Sequence, residues 1–190
     1  MNAVILAGGK SSRMGSNKAF LKLESKTFIE HQIDLLREIF NEIIISANTP
    51  SVYKHLNIPI IKDIYPNKGP LGGIHASLIN TSSFYTFVLA CDMPFVEIDL
   101  IKHLKSFIKG HDVVVPQINK GLEPLHAFYS KNCIAPVKRA LDNNNLRIID
   151  FFPQVNVKVV KLDSLASSDK FKKATKNLNT TEEYNSVKKK

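Results

Sequence analysis

The sequence predicts an α/β fold, one domain built on a mainly parallel sheet with helices on both faces, and three observations carry that expectation. Short β-branched runs alternate with longer segments of helical spacing. The first apolar run, Ala3-Val4-Ile5-Leu6, shows no alternation, as expected of a strand covered on both sides. No internal repeat, low-complexity linker or compositional break divides the 190 residues, a length that suits one domain with a full core.

Taken along the chain, Ala3–Leu6 is the first predicted strand. Phe28–Phe40 follows as a helix, because Phe28, Ile29, Gln32-Ile33, Leu35-Leu36 and Ile39-Phe40 recur on one face. Strands are predicted over Ile43–Ala47, Ile58–Lys62, Phe84–Ala90, Val113–Pro116, Leu125–Tyr129 and Val155–Leu162. In the last, the alternation of Val155-Asn156-Val157-Lys158-Val159 marks an edge or half-buried strand. Helices are predicted over Leu71–Ile79, Ile98–Ile108 and Cys133–Leu141. Ligands of such sheets gather at the carboxyl ends of the strands, which singles out the residues after Leu6, Ala47, Lys62 and Ala90.

Composition narrows the function class. Of the formal charge of +9, +5 falls from Phe151 onward, so the excess is largely a basic tail ending in Lys188-Lys189-Lys190. A tail of that kind reads as a solvated end, and no cluster mixes basic and aromatic residues as a single-strand binder needs. Cys91 and Cys133 form no CxxC pair, which fits a reduced, cytoplasmic setting. The six histidines have no zinc-ligand spacing. The opening apolar run is too short for a signal peptide, and no stretch approaches the ~18 apolar residues of a membrane span.

The stretch LAGGKSSRMGSNKAFL, Leu6 to Leu21, follows the first strand. Gly8 and Gly9 let the backbone turn and approach a ligand without a Cβ in the way. Lys10, Arg13 and Lys18, with Lys22 just beyond, suit a polyanion such as a triphosphate. The spacing matches neither the Walker A loop nor the dinucleotide fingerprint. ACDMPF, Ala90 to Phe95, sets Asp92 just past an apolar strand, where a carboxylate can hold Mg²⁺ against phosphates or cap the next helix. Cys91 reads as a small strand residue, since no base lies near it. GPLGG, Gly69 to Gly73, sits ahead of a helical run and serves either an anion at the helix start or close packing. Asn48 and Asp63 have cap or turn readings no weaker than their ligand readings. His126, alone in a strand, reads as a packed, hydrogen-bonded residue, and no G-x-S-x-G supports a serine triad.

As a set these residues resemble the molybdenum cofactor guanylyltransferase family, the MobA-like nucleotidyltransferases. Leu6-Ala7-Gly8-Gly9-Lys10-Ser11-Ser12-Arg13-Met14-Gly15-Ser16-Asn17-Lys18 is similar to the family's opening LAGG-x-S-x-R-M-G-x-[DN]-K, with Asn17 where Asp is more usual. GPLGG resembles its G-P-L-[AG]-G, and Cys91-Asp92-Met93-Pro94 its C-D-x-P. KNLNTTEEY, Lys176 to Tyr184, resembles its closing N-x-N-T-P-E-[ED], with Thr181 where Pro is common.

The resemblance implies a Rossmann-like three-layer domain over residues 1–187, followed by the basic tail 188–190. It implies transfer of GMP from GTP to molybdenum-loaded molybdopterin, with release of pyrophosphate, and Mg²⁺ as the cofactor. Nucleotide binding falls to Leu6, Ala7, Gly8, Gly9, Lys18, Asn48, Asp63 and Asp92. Arg13, Lys18 and Asp92 are the catalytic set, Asp92 also being the metal ligand. Gly69, Gly73, Arg147, Asn177 and Asn179 correspond to the pterin side, and Asn179 is also placed near the metal. Partners so implied are GTP, molybdopterin and, transiently, molybdenum-cofactor enzymes or their chaperones, with no membrane and no specific nucleic acid. The alternatives are the cytidylyltransferase of the same pterin, whose relatives tend to carry Ala-Ala-Gly at Ala7-Gly8-Gly9, and a sugar- or polyol-phosphate nucleotidyltransferase.

Overall fold

The computed structural model describes residues 1–8, 18–23, 25–163, 165, 167–178 and 183–184. The chain opens with β1 (Asn2–Leu6), then a 3-10 turn at Lys18–Phe20 and a small antiparallel hairpin, β2 (Lys22–Leu23) and β3 (Lys26–Thr27). Helix α1 (Phe28–Arg37) follows at once. A capping box starts it: Thr27 Oγ1 accepts from the Glu30 N–H, and Glu30 Oε2 accepts from the Thr27 N–H at 2.8 Å. Next come β4 (Glu42–Ser46), a 3-10 helix at Pro50–Leu56, β5 (Ile60–Ile61) and α2 (Gly69–Asn80). The second half contains β6 (Tyr85–Ala90), α3 (Ile98–Lys105), β7 (Val113–Ile118), β8 (Gly121–Leu122) and β9 (His126–Ser130). It ends with α4 (Ile134–Asp142), a 3-10 helix at Ile148–Gln154, β10 (Val157–Lys161) and α5 (Ser168–Ala174).

Apart from the β2–β3 hairpin, the strands form one sheet in the order β10-β7-β9-β6-β1-β4-β5, with β8 paired to β7. The pairs β1–β4, β1–β6, β4–β5 and β7–β10 are parallel, and β9 runs against both its neighbours. The predicted mainly parallel sheet is therefore present, with β10 on its edge, one of the two placements the alternation allows.

Side chains alternate between two cores. Phe87, Leu89, Val114 and Phe128 join Ile29, Ile33, Leu36, Leu100, Leu104 and Phe171 on the face covered by α1, α3 and α5. Val88, Val113, Val115, Ala127 and Tyr129 join Leu71, Ile74, Val137, Leu141 and Phe151 on the face covered by α2 and α4. Three layers result.

Most boundaries fall within a residue or two of expectation, and the exceptions have local causes. Helix α2 begins at Gly69, ahead of the predicted Leu71, because Pro70 needs no helical hydrogen bond in the first turn. GPLGG is thus the first turn of the helix itself. Helix α1 stops at Arg37, where Glu38 caps it, and α3 stops at Lys105 ahead of a turn through Gly110 at φ +83°. The edge strand β5 shrinks to two residues beside Pro59, which has no N–H to give. The hairpin, the two longer 3-10 helices and α5 are too short to show a period.

Candidate active site

Running outward from β1, the sheet places β4 and β5 on one side and β6 on the other, so the chain reverses its direction of growth at β1. The crevice at that switch point is where ligands of open α/β sheets bind. The ladder continues past the strand ends: Ala7 N–H donates to Ser46 C=O at 2.9 Å, Ala47 N–H to Ile61 C=O at 2.9 Å, and Cys91 N–H to Leu6 C=O at 3.1 Å. Four strand ends are thereby fixed side by side.

A cavity of about 620 Å³ opens there, with Ala7, Gly8, Asn48, Tyr53, Asp63 and Gly69 among its walls. Asn48 and Asp63 form a reciprocal pair across it. Asn48 Nδ2 donates to Asp63 Oδ2 at 2.7 Å, and the Asp63 N–H donates to Asn48 Oδ1 at 3.1 Å. Each keeps hydrogen-bonding capacity beyond the pair, a second amide N–H and a second carboxylate oxygen. Buried Tyr53, on the Pro50–Leu56 helix, donates its hydroxyl to Ala7 C=O at 2.9 Å. Phe20 stacks on the Tyr53 ring with centroids 5.3 Å apart, which fixes the turn that Lys18 opens against the cavity wall.

Asp92 lies in a tight turn beyond β6. The Met93 N–H donates to Ala90 C=O at 3.3 Å. Cys91 and Asp92 therefore occupy the two central positions. Fully buried Gln32 of α1 donates Nε2 to Ala90 C=O at 2.9 Å and to Met93 C=O at 2.8 Å. The Leu178 N–H donates to Asp92 C=O at 2.9 Å, which brings the C-terminal segment to the same turn. Its neighbour Asn177 has a buried Oδ1 with no hydrogen-bond partner among the described residues.

Of the expected site residues, Ala7, Gly8, Asn48, Asp63 and Gly69 meet at the cavity, and Asp92 and Asn177 at the neighbouring turn. Leu6 contributes through its backbone, and its side chain turns under α2. Gly73 is buried there: a Cβ on it would come within 3.0 Å of Leu6 Cδ2. Its lack of a side chain lets helix approach strand. Gly69 adopts φ +60° with open space around its missing Cβ. It serves backbone conformation. Arg147 is well exposed, 3.7 Å from Asp150, in a loop tied to the cavity rim where Lys68 Nζ donates to Asn144 Oδ1 at 2.8 Å. Gly9, Lys10, Arg13, Asn17, Asn179 and the tail 188–190 lie outside the described residues.

His126 corrects one expectation. It is fully buried, but neither ring nitrogen has a hydrogen-bond partner among the described residues. It stands edge-on to Phe87 at 5.2 Å, and burial pushes its pKa down to about 3. The imidazole is therefore neutral and beyond the reach of substrate. Cys133 is likewise structural, its thiol pushed up to about 12, mainly by burial. Gln32 and Tyr53 were not singled out from sequence. The signal for Gln32 is a polar residue on the core face of a helix.

A family model described as the MobA-like NTP transferase domain matches residues 3–155. The chain belongs to this family. The match covers the switch-point cavity and the Asp92 turn. The chain is 41% identical over 194 residues to the probable molybdenum cofactor guanylyltransferase of Clostridium perfringens (strain 13 / Type A), covering 100% of this chain and 96% of that protein. It is 36% identical over 185 residues to the molybdenum cofactor guanylyltransferase of Desulfosudis oleivorans, covering 96% and 92%. Among solved structures it is similar to molybdopterin-guanine dinucleotide biosynthesis protein A from Archaeoglobus fulgidus, with a TM-score of 0.85, 25% identity and coverage of 100% and 97%. Among the described residues no helix is long and apolar enough to cross a membrane.

Proposed function

We propose that this chain transfers GMP from GTP to molybdopterin, forming the guanine dinucleotide form of the molybdenum cofactor and releasing pyrophosphate. The observation that carries the reading is the meeting of the Asn48–Asp63 cavity and the Asp92 turn at one switch point, in a chain of this family. The cavity takes guanine and ribose, with the amide and carboxylate of the pair available to the base edge and Tyr53 holding the Ala7 carbonyl in place. Arg13 and Lys18 are the cations that meet the triphosphate.

In the reaction, a terminal phosphate oxygen of the pterin attacks the α-phosphorus of GTP. The bond from that phosphorus to the α–β bridging oxygen breaks, and its electron pair leaves with pyrophosphate. Attack brings two anions together and charge grows on the leaving group, so positioned cations lower the barrier without a covalent enzyme intermediate. Arg147, Asn177 and Asn179 hold the pterin end, and Gly69 shapes the groove between. Gly73 sets the distance between that groove and β1.

The residues present fit Mg²⁺. The site offers hard oxygen donors: the Asp92 carboxylate and the buried Oδ1 of Asn177, whose neighbour Leu178 is bonded to Asp92 C=O. No group of three or more His, Cys, Asp or Glu side chains gathers among the described residues. Mg²⁺ bound with phosphates and waters asks for only about one or two carboxylates. Bound there, Mg²⁺ would neutralise phosphate charge. Asp92 would hold it, and Asn177, placed also toward the pterin end, would supply the second oxygen donor. This reading places the protein in the cytoplasm, handing its product to molybdenum-cofactor enzymes or their chaperones.

Purified protein should release pyrophosphate from GTP only when molybdopterin is supplied. Release with no acceptor, or with a sugar phosphate in preference to the pterin, would overturn the reading.

A further inference from the structure

We infer that Gln32 is a positioning residue that fixes the Asp92 turn in the geometry metal binding requires; this rests on the proposed role of Asp92. The Gln32 side chain is completely buried on the core face of α1, among positions otherwise taken by Phe28, Ile29, Ile33 and Leu36. A buried amide at such a place is costly, and here its Oε1 has no hydrogen-bond partner among the described residues. Leaving one buried acceptor unmet is unfavourable, a penalty specific to the amide oxygen. The unmet oxygen alone therefore does not explain the amide.

The geometry does. Gln32 Nε2 reaches the first and last carbonyls of the four-residue turn, Ala90 at 2.9 Å and Met93 at 2.8 Å. Both partners are acceptors, so only the NH₂ end can face them, and its two N–H bonds satisfy one carbonyl each. The turn's own closing bond, from Met93 N–H to Ala90 C=O, is long at 3.3 Å. The amide thus clamps the two ends between which Asp92 stands. Cys91 N–H on Leu6 C=O and Leu178 N–H on Asp92 C=O fix the turn from two further directions. Gln32 ties it to α1, whose start is held by the hairpin that follows the cationic loop. Metal affinity and turnover respond to such supporting contacts by about 10- to 100-fold.

The test compares Gln32→Met, Gln32→Leu, Asp92→Asn and the unaltered protein by calorimetric titration with GTP, with and without MgCl₂, alongside thermal unfolding. The readout is the factor by which Mg²⁺ tightens GTP binding. In Gln32→Met this factor should fall about tenfold, with metal-free GTP binding close to the unaltered value and the melting temperature lowered by only a few degrees, since two carbonyls lose a donor while the fold is kept. Gln32→Leu should behave alike, and serves where Gln32→Met does not fold. An unchanged factor in either folded variant, beside a lost factor in Asp92→Asn, would overturn the inference alone. An equal loss of metal-free GTP binding, or failure of both apolar variants to fold, would also overturn it by making the amide a general structural requirement. A factor unchanged in Asp92→Asn would remove the metal role of Asp92, and this inference with it.

Discussion

Asn48 and Asp63 hold each other across the mouth of the crevice, the amide Nδ2 on Asp63 Oδ2 at 2.7 Å and the Asp63 N–H on Asn48 Oδ1 at 3.1 Å. They come from the ends of β4 and β5, fifteen residues apart, and the pair is set before any ligand arrives. Under the proposed function, a base entering the cavity would meet a donor and an acceptor whose spacing is already fixed, so little ordering would oppose binding.

Asn48→Ala should therefore weaken GTP binding more than it weakens the fold. Loss of a hydrogen bond to a charged partner costs about 1.5–3 kcal/mol where ligand excludes water, or roughly 10- to 150-fold in affinity. The pair is solvent-accessible in the free protein, so the melting temperature should hardly move. Calorimetry with GTP checks this, and an affinity within twofold of the unaltered protein would remove the pair from the base site.

Gly8→Ala separates nucleotide choice from folding. A Cβ at Gly8 would lie 3.7 Å from Ala47 Cα, Asn48 N and Ser46 O, ordinary contact distances. Stability should change by no more than about 0.5 kcal/mol. The methyl group would enter a cavity-lining position, so the GTP-to-CTP preference should fall. Competitive binding of the two nucleotides measures it, and an unchanged ratio would deny Gly8 any part in base discrimination.

Asp92→Asn should lower Mg²⁺-dependent transfer by about 10²- to 10³-fold, the usual loss on removing one electrostatic contact to the transition state. The turn's backbone bonds remain, so unfolding temperature should be preserved. Turnover within tenfold of the unaltered protein would sink the metal assignment. Lys18→Ala should raise the GTP requirement and Arg147→Ala the pterin requirement. Equal effects on both substrates from either change would contradict their placement.

His126 predicts how the fold responds to acid. Its pKa is about 3 when buried, against an ordinary 6.5 in the unfolded chain. Between those values the unfolded chain binds a proton that the folded one does not. Its contribution to stability is complete above about 6.5 and is lost as pH falls toward about 3, at up to about 1.4 kcal/mol per pH unit. Denaturant unfolding of His126→Leu over that window should show a shallower fall than the unaltered protein. Parallel curves would show that the imidazole does not titrate as its burial requires.

The sheet and its helices were legible because their signals are periodic. Apolar runs such as Ile43-Ile44-Ile45 and the repeating face of α1 mark burial directly, and the strand ends then mark the crevice. At the candidate site, Asp92 stands out by its type and its place after a strand, whereas Asn48 and Asp63 read equally as caps or turns until the fold sets them face to face. Gly73 belongs by its motif to the expected substrate groove, and its tight contact with Leu6 arises from a helix-to-strand approach that sequence cannot show. Tyr53 sits on a 3-10 helix too short for a period, and its target is a backbone carbonyl 46 residues away. Gln32 likewise bonds to carbonyls 58 and 61 residues distant, which have no side-chain signature.

Whether the crevice joins GMP to a pterin phosphate is measured most directly on the product itself. The protein is incubated with molybdenum-loaded molybdopterin, Mg²⁺ and either GTP or CTP, and the product is weighed by mass spectrometry. A GMP adduct from GTP and none from CTP is expected. A CMP adduct, or no adduct with either nucleotide, would contradict the proposed reaction.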